Sequence, residues 1–229
     1  MMGKSMNGRR RPFSTLQRYV QRDRRPAVDL QEACESCSES IPSEHRHVLE
    51  VAAQQIIRVC RACAILFDAE EASGGKYRLI PDRYLVLVDF QITEAQWQGL
   101  HIPVGLAFCF YSTPAQRAVA FYPSPMGATE ALLELCTWTA LCQRNAVLTT
   151  LRRDVEALLI HRVRGAREYF VVPIDQCYRL VGLIRLHWRG LSGGQEGWKA
   201  IAEFFETLRQ HTRTMRQADC SSPPPGSTM

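Results

Sequence analysis

The chain has 229 residues, 46% hydrophobic and 22% charged, a balance that supports a packed core and excludes a wholly disordered chain. The net charge of +5 is unevenly placed: residues 1–25 hold eight basic side chains against Asp23 alone, and the rest of the chain sums to −2. That split argues against a body built to bind polyanions, and no window approaches the roughly 18 apolar residues of a membrane-crossing helix.

Residues 1–28 read as a disordered Arg-rich arm. Such an arm either binds phosphates or acidic surfaces or is simply solvated. "GRRRPF" is followed by the polar "STLQRYVQRDRRP", without the apolar run that twin-arginine export or secretion needs. The expected compartment is the cytoplasm.

Residues 29–75 contain two Cys-x-x-Cys pairs, Cys34/Cys37 and Cys60/Cys63, separated by 22 residues. In a reducing compartment, paired cysteines serve as metal ligands or redox groups rather than as disulfides. Two such turns can bring four thiolates to the corners of one tetrahedral ion, and this spacing suits a zinc ribbon. Zinc is the expected ion. Iron is the alternative, since a rubredoxin-like site uses the same four thiolates, although its knuckles carry Gly where this chain has Ser38 and Ala64. A thioredoxin-like pair needs one Cys-x-x-Cys after a strand and at a helix start, a context that neither pair shows in the sequence.

Between the pairs, "VLEVAAQQIIRV" fits a hairpin bent at "AAQQ" and equally a helix. His45 and His47 stay outside the ligand set, and Arg58 and Arg61 stand close enough to temper the charge of a four-thiolate site. Four thiolates leave no position open for water, so the site reads as structural. Its ion substitutes for a core that a segment of about 45 residues can hardly build alone. Cys109, Cys136, Cys142 and Cys177 stand singly in apolar segments and read as small buried hydrophobes, with Cys220 idle in the tail.

Residues 76–213 read as an α+β domain, a mostly antiparallel sheet with helices packed on one face, preceded by the zinc-ribbon-like four-Cys knuckle. "KYRLI" and "RYLVLVDF" are strand-like, with a short helix at "TEAQWQGL". "VGLAFCFYS" and "AVAFYPS" form two strands turned around Pro114. A helix is expected from near Thr129, where Ala131, Leu135, Trp138 and Cys142 recur on one face. "EALLIHRV" and "EYFVVPI" are strands joined through "RGAR". A helix carrying Cys177, Val181, Ile184 and Trp188 follows, with Asp175 placed to cap it and Gly190 to end it. A capping box at Ser192 and Gln195 then opens a helix with Trp198, Ile201, Ala202, Phe205 and Leu208 on its apolar stripe. Residues 214–229, ending "SSPPPGSTM", read as a disordered Pro/Ser tail.

Enzymatic signatures are weak. "YPSPMGATE" reads as a proline-fixed turn and N-cap, with an anion site at a helix start as the rarer alternative. "RGLSGGQEGW" lacks the Gly-Lys-Ser/Thr ending of a phosphate loop and reads as a tight helix–helix turn. His161 and His187 have no recognisable Ser or Cys partner, and no carboxylate pair is evident.

The motifs "CESC", "PSEHRHVL", "CRACAILF", "YRLIPDRYL", "IPVGLAFCF", "VAFYPSPMGATE", "DVEALLIHR" and "PIDQCYRLVGLIRLHWRGLSGG" run from Cys34 towards Leu208. Together they resemble an uncharacterised bacterial family commonly encoded in nickel–iron hydrogenase gene clusters, notably of actinobacteria. Family members often read Cys-x-x-Cys-Gly at the first pair, from which Ser38 departs. The resemblance implies a hydrogenase accessory context, assembly or maturation, and implies no mechanism. The expected protein is therefore a non-enzymatic, metal-binding accessory with Cys34, Cys37, Cys60 and Cys63 as ligands and a hydrogenase subunit or maturation factor as partner. The alternatives are a rubredoxin-like electron carrier and a nucleic-acid-binding zinc ribbon led by the basic arm.

Overall fold

In the structure, a computed structural model, residues 32–69, 73–190 and 192–216 are described. The Arg-rich arm, Cys220 and "SSPPPGSTM" lie outside the described residues.

Two apolar runs organise the larger sheet. Strand β5 (Leu106–Ser112) reads LAFCFYS and β8 (Glu156–His161) reads EALLIH, both nearly continuous in buried residues. A strand alternates its side chains between two faces, so an unbroken apolar run requires cover on both. Leu106, Phe108, Phe110, Ala157 and Leu159 enter one core, and Ala107, Cys109, Leu158 and Ile160 enter the other. The seven strands run β10-β4-β9-β8-β5-β6-β7, antiparallel apart from the pairing of β10 with β4. The remaining members are β4 (Leu85–Leu87), β6 (Arg117–Ser124), β7 (Gly127–Ala131), β9 (Glu168–Pro173) and β10 (Arg213–Met215). β10 extends the fold past residue 213, where the tail was expected to begin.

The two long helices lie together against the first face, as the stripes implied. Helix α4 (Ile174–His187) buries Cys177, Leu180, Val181 and Ile184, and α5 (Gly194–His211) buries Ile201, Phe204, Phe205 and Leu208. Shorter pieces cover the opposite face: α2 (Glu94–Gln98), α3 (Leu135–Arg144) and a 3-10 turn (Ala146–Thr150), through Leu100, Leu141, Val147 and Leu148. A capping box opens α2, Thr93 and Gln96 exchanging hydrogen bonds.

Three local expectations are corrected. The segment around Thr129 is strand β7, and α3 begins six residues later. β6 captures its main chain through a tight hairpin in which Ser124 faces Gly127, and the Ser124 hydroxyl donates to the Gly127 carbonyl at 2.9 Å. Asp175 does not cap α4; Pro173 holds the cap position, and the Asp175 carboxylate turns to a histidine on another sheet. The Ser192/Gln195 box is absent as well, because the chain enters α5 through Gly193 at φ +88°, with no side-chain cap.

The cysteine segment forms a second, three-stranded sheet, β2-β1-β3. β1 (Arg46–Glu50) and β2 (Gln55–Val59) make an antiparallel hairpin bent at residues 51–54, and helix α1 (Arg61–Asp68) follows directly. β3 (Tyr77–Leu79) follows a turn at residues 73–76 and pairs with β1. The hairpin has two apolar faces. Val48 and Val59 join Cys34, Ile41 and Ala64 in a small core, while Leu49 and Ile80 enter the large core beneath α4.

Candidate metal centre

The first pair forms a knuckle. Cys34 receives the Ser38 N–H on its carbonyl at 2.8 Å and donates its own N–H to Glu39 at 2.7 Å. Closing this turn places Ser38 at φ +64°, the left-handed region that glycine occupies most easily. The second pair sits where β2 ends and α1 begins. Cys60 is the N-cap of α1 and its Sγ accepts from the Cys63 N–H at 3.5 Å. This corrects the expectation that neither pair follows a strand at a helix start: Cys60/Cys63 does so, which the undecided connector concealed.

β1 and β2 bring the two turns together. The four Sγ atoms all lie within 4.8 Å of one another, and Cys37 Sγ is 3.6 Å from Cys60 Sγ. Tetrahedral thiolates about 2.3 Å from a central ion stand roughly 3.8 Å apart, so this group can hold an ion such as zinc or iron. All four are free thiols, far beyond the roughly 2 Å of a disulfide. Cys34 is buried and Cys37 exposed, so the cluster lies at the edge of its small core.

Crowding four thiols divides their acidities. Burial raises the Cys34 pKa, but the amides of Cys60, Cys37 and Ser36 outweigh it and pull the thiol down to about 6. Cys63 is pushed up to about 12 by burial and by the neighbouring Cys37 and Cys60 thiols. One thiolate therefore forms readily, and the cluster reaches full charge only when a cation replaces the remaining protons.

The surrounding charges differ from expectation. Arg58 directs Nε and Nη2 to Glu35 Oε1, at 2.9 and 2.7 Å, and so is neutralised by a carboxylate rather than by sulfur. That contact holds the Glu35 carboxyl below its usual range. His45 and His47 do not join the sulfur group. His47 Nδ1 lies 3.0 Å from Asp175 Oδ2, across 128 positions of sequence, and no local pattern announces that pair.

These histidines and Asp175 line a cleft of ≈ 1000 Å³ between the two sheets, walled also by Tyr84, Pro81 and Ile65. Burial pushes the Tyr84 hydroxyl up to about 12.

The other candidates resolve into structure. "YPSPMGATE" is the β6–β7 hairpin and presents no helix start to an anion. His161 pairs with Glu168 at 2.8 Å and stacks on Phe205 at 3.8 Å, its partner a carboxylate held by Arg209. Cys109 and Cys177 are buried and Cys142 is half-buried, but Cys136 is exposed on α3, contrary to expectation. Among the described residues no helix is long and apolar enough to cross a membrane.

Among known proteins, the profile of a family of unknown function (DUF5947) matches residues 33–212, which include both cysteine pairs and strands β1 to β9. No curated protein and no solved structure matches the chain.

Proposed function

The chain belongs to DUF5947, a family of unknown function, and from its sulfur geometry we propose a metal-binding accessory protein that acts through protein partners. In this reading Cys34, Cys37, Cys60 and Cys63 ligate one zinc ion, which holds the knuckle and α1 together and performs no chemistry. The supporting observation is the mutual approach of four thiols from two turns, a donor set that fills a tetrahedral ion and leaves no position for substrate.

The partner class follows from the sequence resemblance: subunits or maturation factors of a nickel–iron hydrogenase, met in the cytoplasm. A surface suited to a protein partner accompanies it. Among the described residues β7 is an edge strand, and beside it Met126, Leu132 and Leu135 are 91%, 76% and 71% exposed. An open edge flanked by apolar side chains is what an added strand or an apolar segment pairs with.

Protein purified without added metal should be colourless, with about one zinc per chain, and zinc uptake should release protons and weaken as pH falls, because Cys63 must lose its proton to bind. Tagged protein should recover hydrogenase subunits or maturation factors, and the pair Leu132→Asp and Leu135→Asp should abolish recovery. Unchanged hydrogenase assembly in a deletion strain would remove the partner assignment. A rubredoxin-like iron site is the second reading, supported by Ser38, which adopts the left-handed geometry that glycine serves in such knuckles. A visible iron–thiolate spectrum would select it.

A further inference from the structure

The histidines that the sulfur cluster leaves out have an arrangement of their own. His45 Nδ1 stands 3.0 Å from the Pro42 carbonyl and 3.0 Å from Glu32 Oε2. His47 Nδ1 stands 3.0 Å from Asp175 Oδ2. Carbonyl and carboxylate oxygens only accept, so in both rings Nδ1 carries the proton and donates it. In the neutral imidazoles each Nε2 is then left with a lone pair. Metal-ligating histidines show this pattern, one nitrogen on the ion and the other donating to a backbone carbonyl or a carboxylate.

Burial and proximity point the same way. The His45 side chain is 8% exposed, and its Nε2 is buried without a hydrogen-bond partner among the described residues. The two ring centroids are 4.9 Å apart, close enough for two imidazoles to share one ion. Asp175 leaves a second orphan, its buried Oδ1. Every unpartnered atom named here is an acceptor, and all three residues line the same cleft.

We propose that His45 and His47 bind a second divalent transition-metal ion through their Nε2 atoms, with Asp175 as the positioning residue behind His47. Imidazole nitrogen selects zinc, copper, iron or nickel over magnesium and calcium. Among the described residues the sulfur cluster is the only close group of three or more potential ligands. The imidazole pair therefore supplies two protein ligands, and its other positions fall to water or to a molecule entering the cleft. An ion held in this way is exchangeable, unlike one enclosed by four thiolates. The inference stands on the cleft and is independent of the reading of the sulfur site.

The test is equilibrium dialysis of the reduced, metal-stripped full chain against zinc, with cobalt substitution to identify each site by its spectrum. Two zinc ions per chain are expected, the second weaker and without a thiolate charge-transfer band in the cobalt form. The double variant His45→Gln, His47→Gln should bind one ion and keep the thiolate band, which also shows that the knuckle is folded. Should the double variant lose that band, the single variants His45→Gln and His47→Gln repeat the comparison, each weakening the second ion alone. Asp175→Asn should retain two ions with the second weakened 10–100-fold. Saturation of the wild type at one ion on sulfur, or a second ion that persists without both imidazoles, would overturn the proposal. One ion on imidazole with none on sulfur would instead overturn the structural zinc site.

Discussion

Ser38 shows how much a single residue can report. Its φ of +64° is the price of closing the first knuckle without glycine. A non-glycine residue in the left-handed region pays roughly 1–2 kcal/mol, of which glycine's greater unfolded-state entropy returns part. Ser38→Gly should therefore raise stability by about 0.5 kcal/mol, read as a higher denaturation midpoint of the metal-loaded protein. The departure from Cys-x-x-Cys-Gly was visible in the sequence, and its strain was not, because the backbone angle follows from the hydrogen bonds that close the turn between Cys34, Ser38 and Glu39. His45 and His47 present the same contrast. Both were legible as residues near the cysteines, but their tautomers depend on Pro42 and Asp175, and the second of these arrives by folding.

At the scale of elements, local periodicity predicted most strands and both long helices, and it failed where a neighbouring strand competed for the main chain. The apolar spacing of Ala131, Leu135, Trp138 and Cys142 is genuinely helical, but residues 127–131 hydrogen-bond to β6, and the helix is left with Leu135–Arg144. Capping motifs were similarly overruled. α5 is entered through Gly193 because a Cβ there would lie 2.8 Å from the Trp188 ring, in addition to the positive φ. Gly193→Ala should cost about 2 kcal/mol by combining overpacking with backbone strain, measurable by urea denaturation. Ser192→Ala, at a residue that caps nothing, should stay within about 0.5 kcal/mol.

Across the whole molecule, the cysteine sheet is tied to the larger one by more than apolar contact. Arg78 of β3 meets Asp154 at 3.0 Å, and the same carboxylate, 2% exposed, accepts from the Thr113 N–H and hydroxyl, each at 2.6 Å. Removing one partner of such a buried pair leaves the others desolvated and unpaired. Asp154→Ala should destabilise the protein by about 3 kcal/mol, seen as a loss of both sheets in one denaturation transition. Asp154→Asn keeps an acceptor and tolerates the φ of +67°, so it should cost less. Separate transitions for the two sheets in the wild type would show that this tie does not couple them.

By itself the sequence determined the chemistry of the four thiols, the α+β class and the apolar runs that demand cover on both faces of a sheet. Those features are local: they depend on residue type and on spacings of a few positions. The tertiary structure decided which faces meet. It set β7 rather than a helix at Thr129, brought Cys60/Cys63 to a helix start beside the first knuckle, and placed Asp175 against His47. Each of these outcomes turns on which main-chain and side-chain groups are buried together, since a polar group shut away from water takes whatever partner the fold provides.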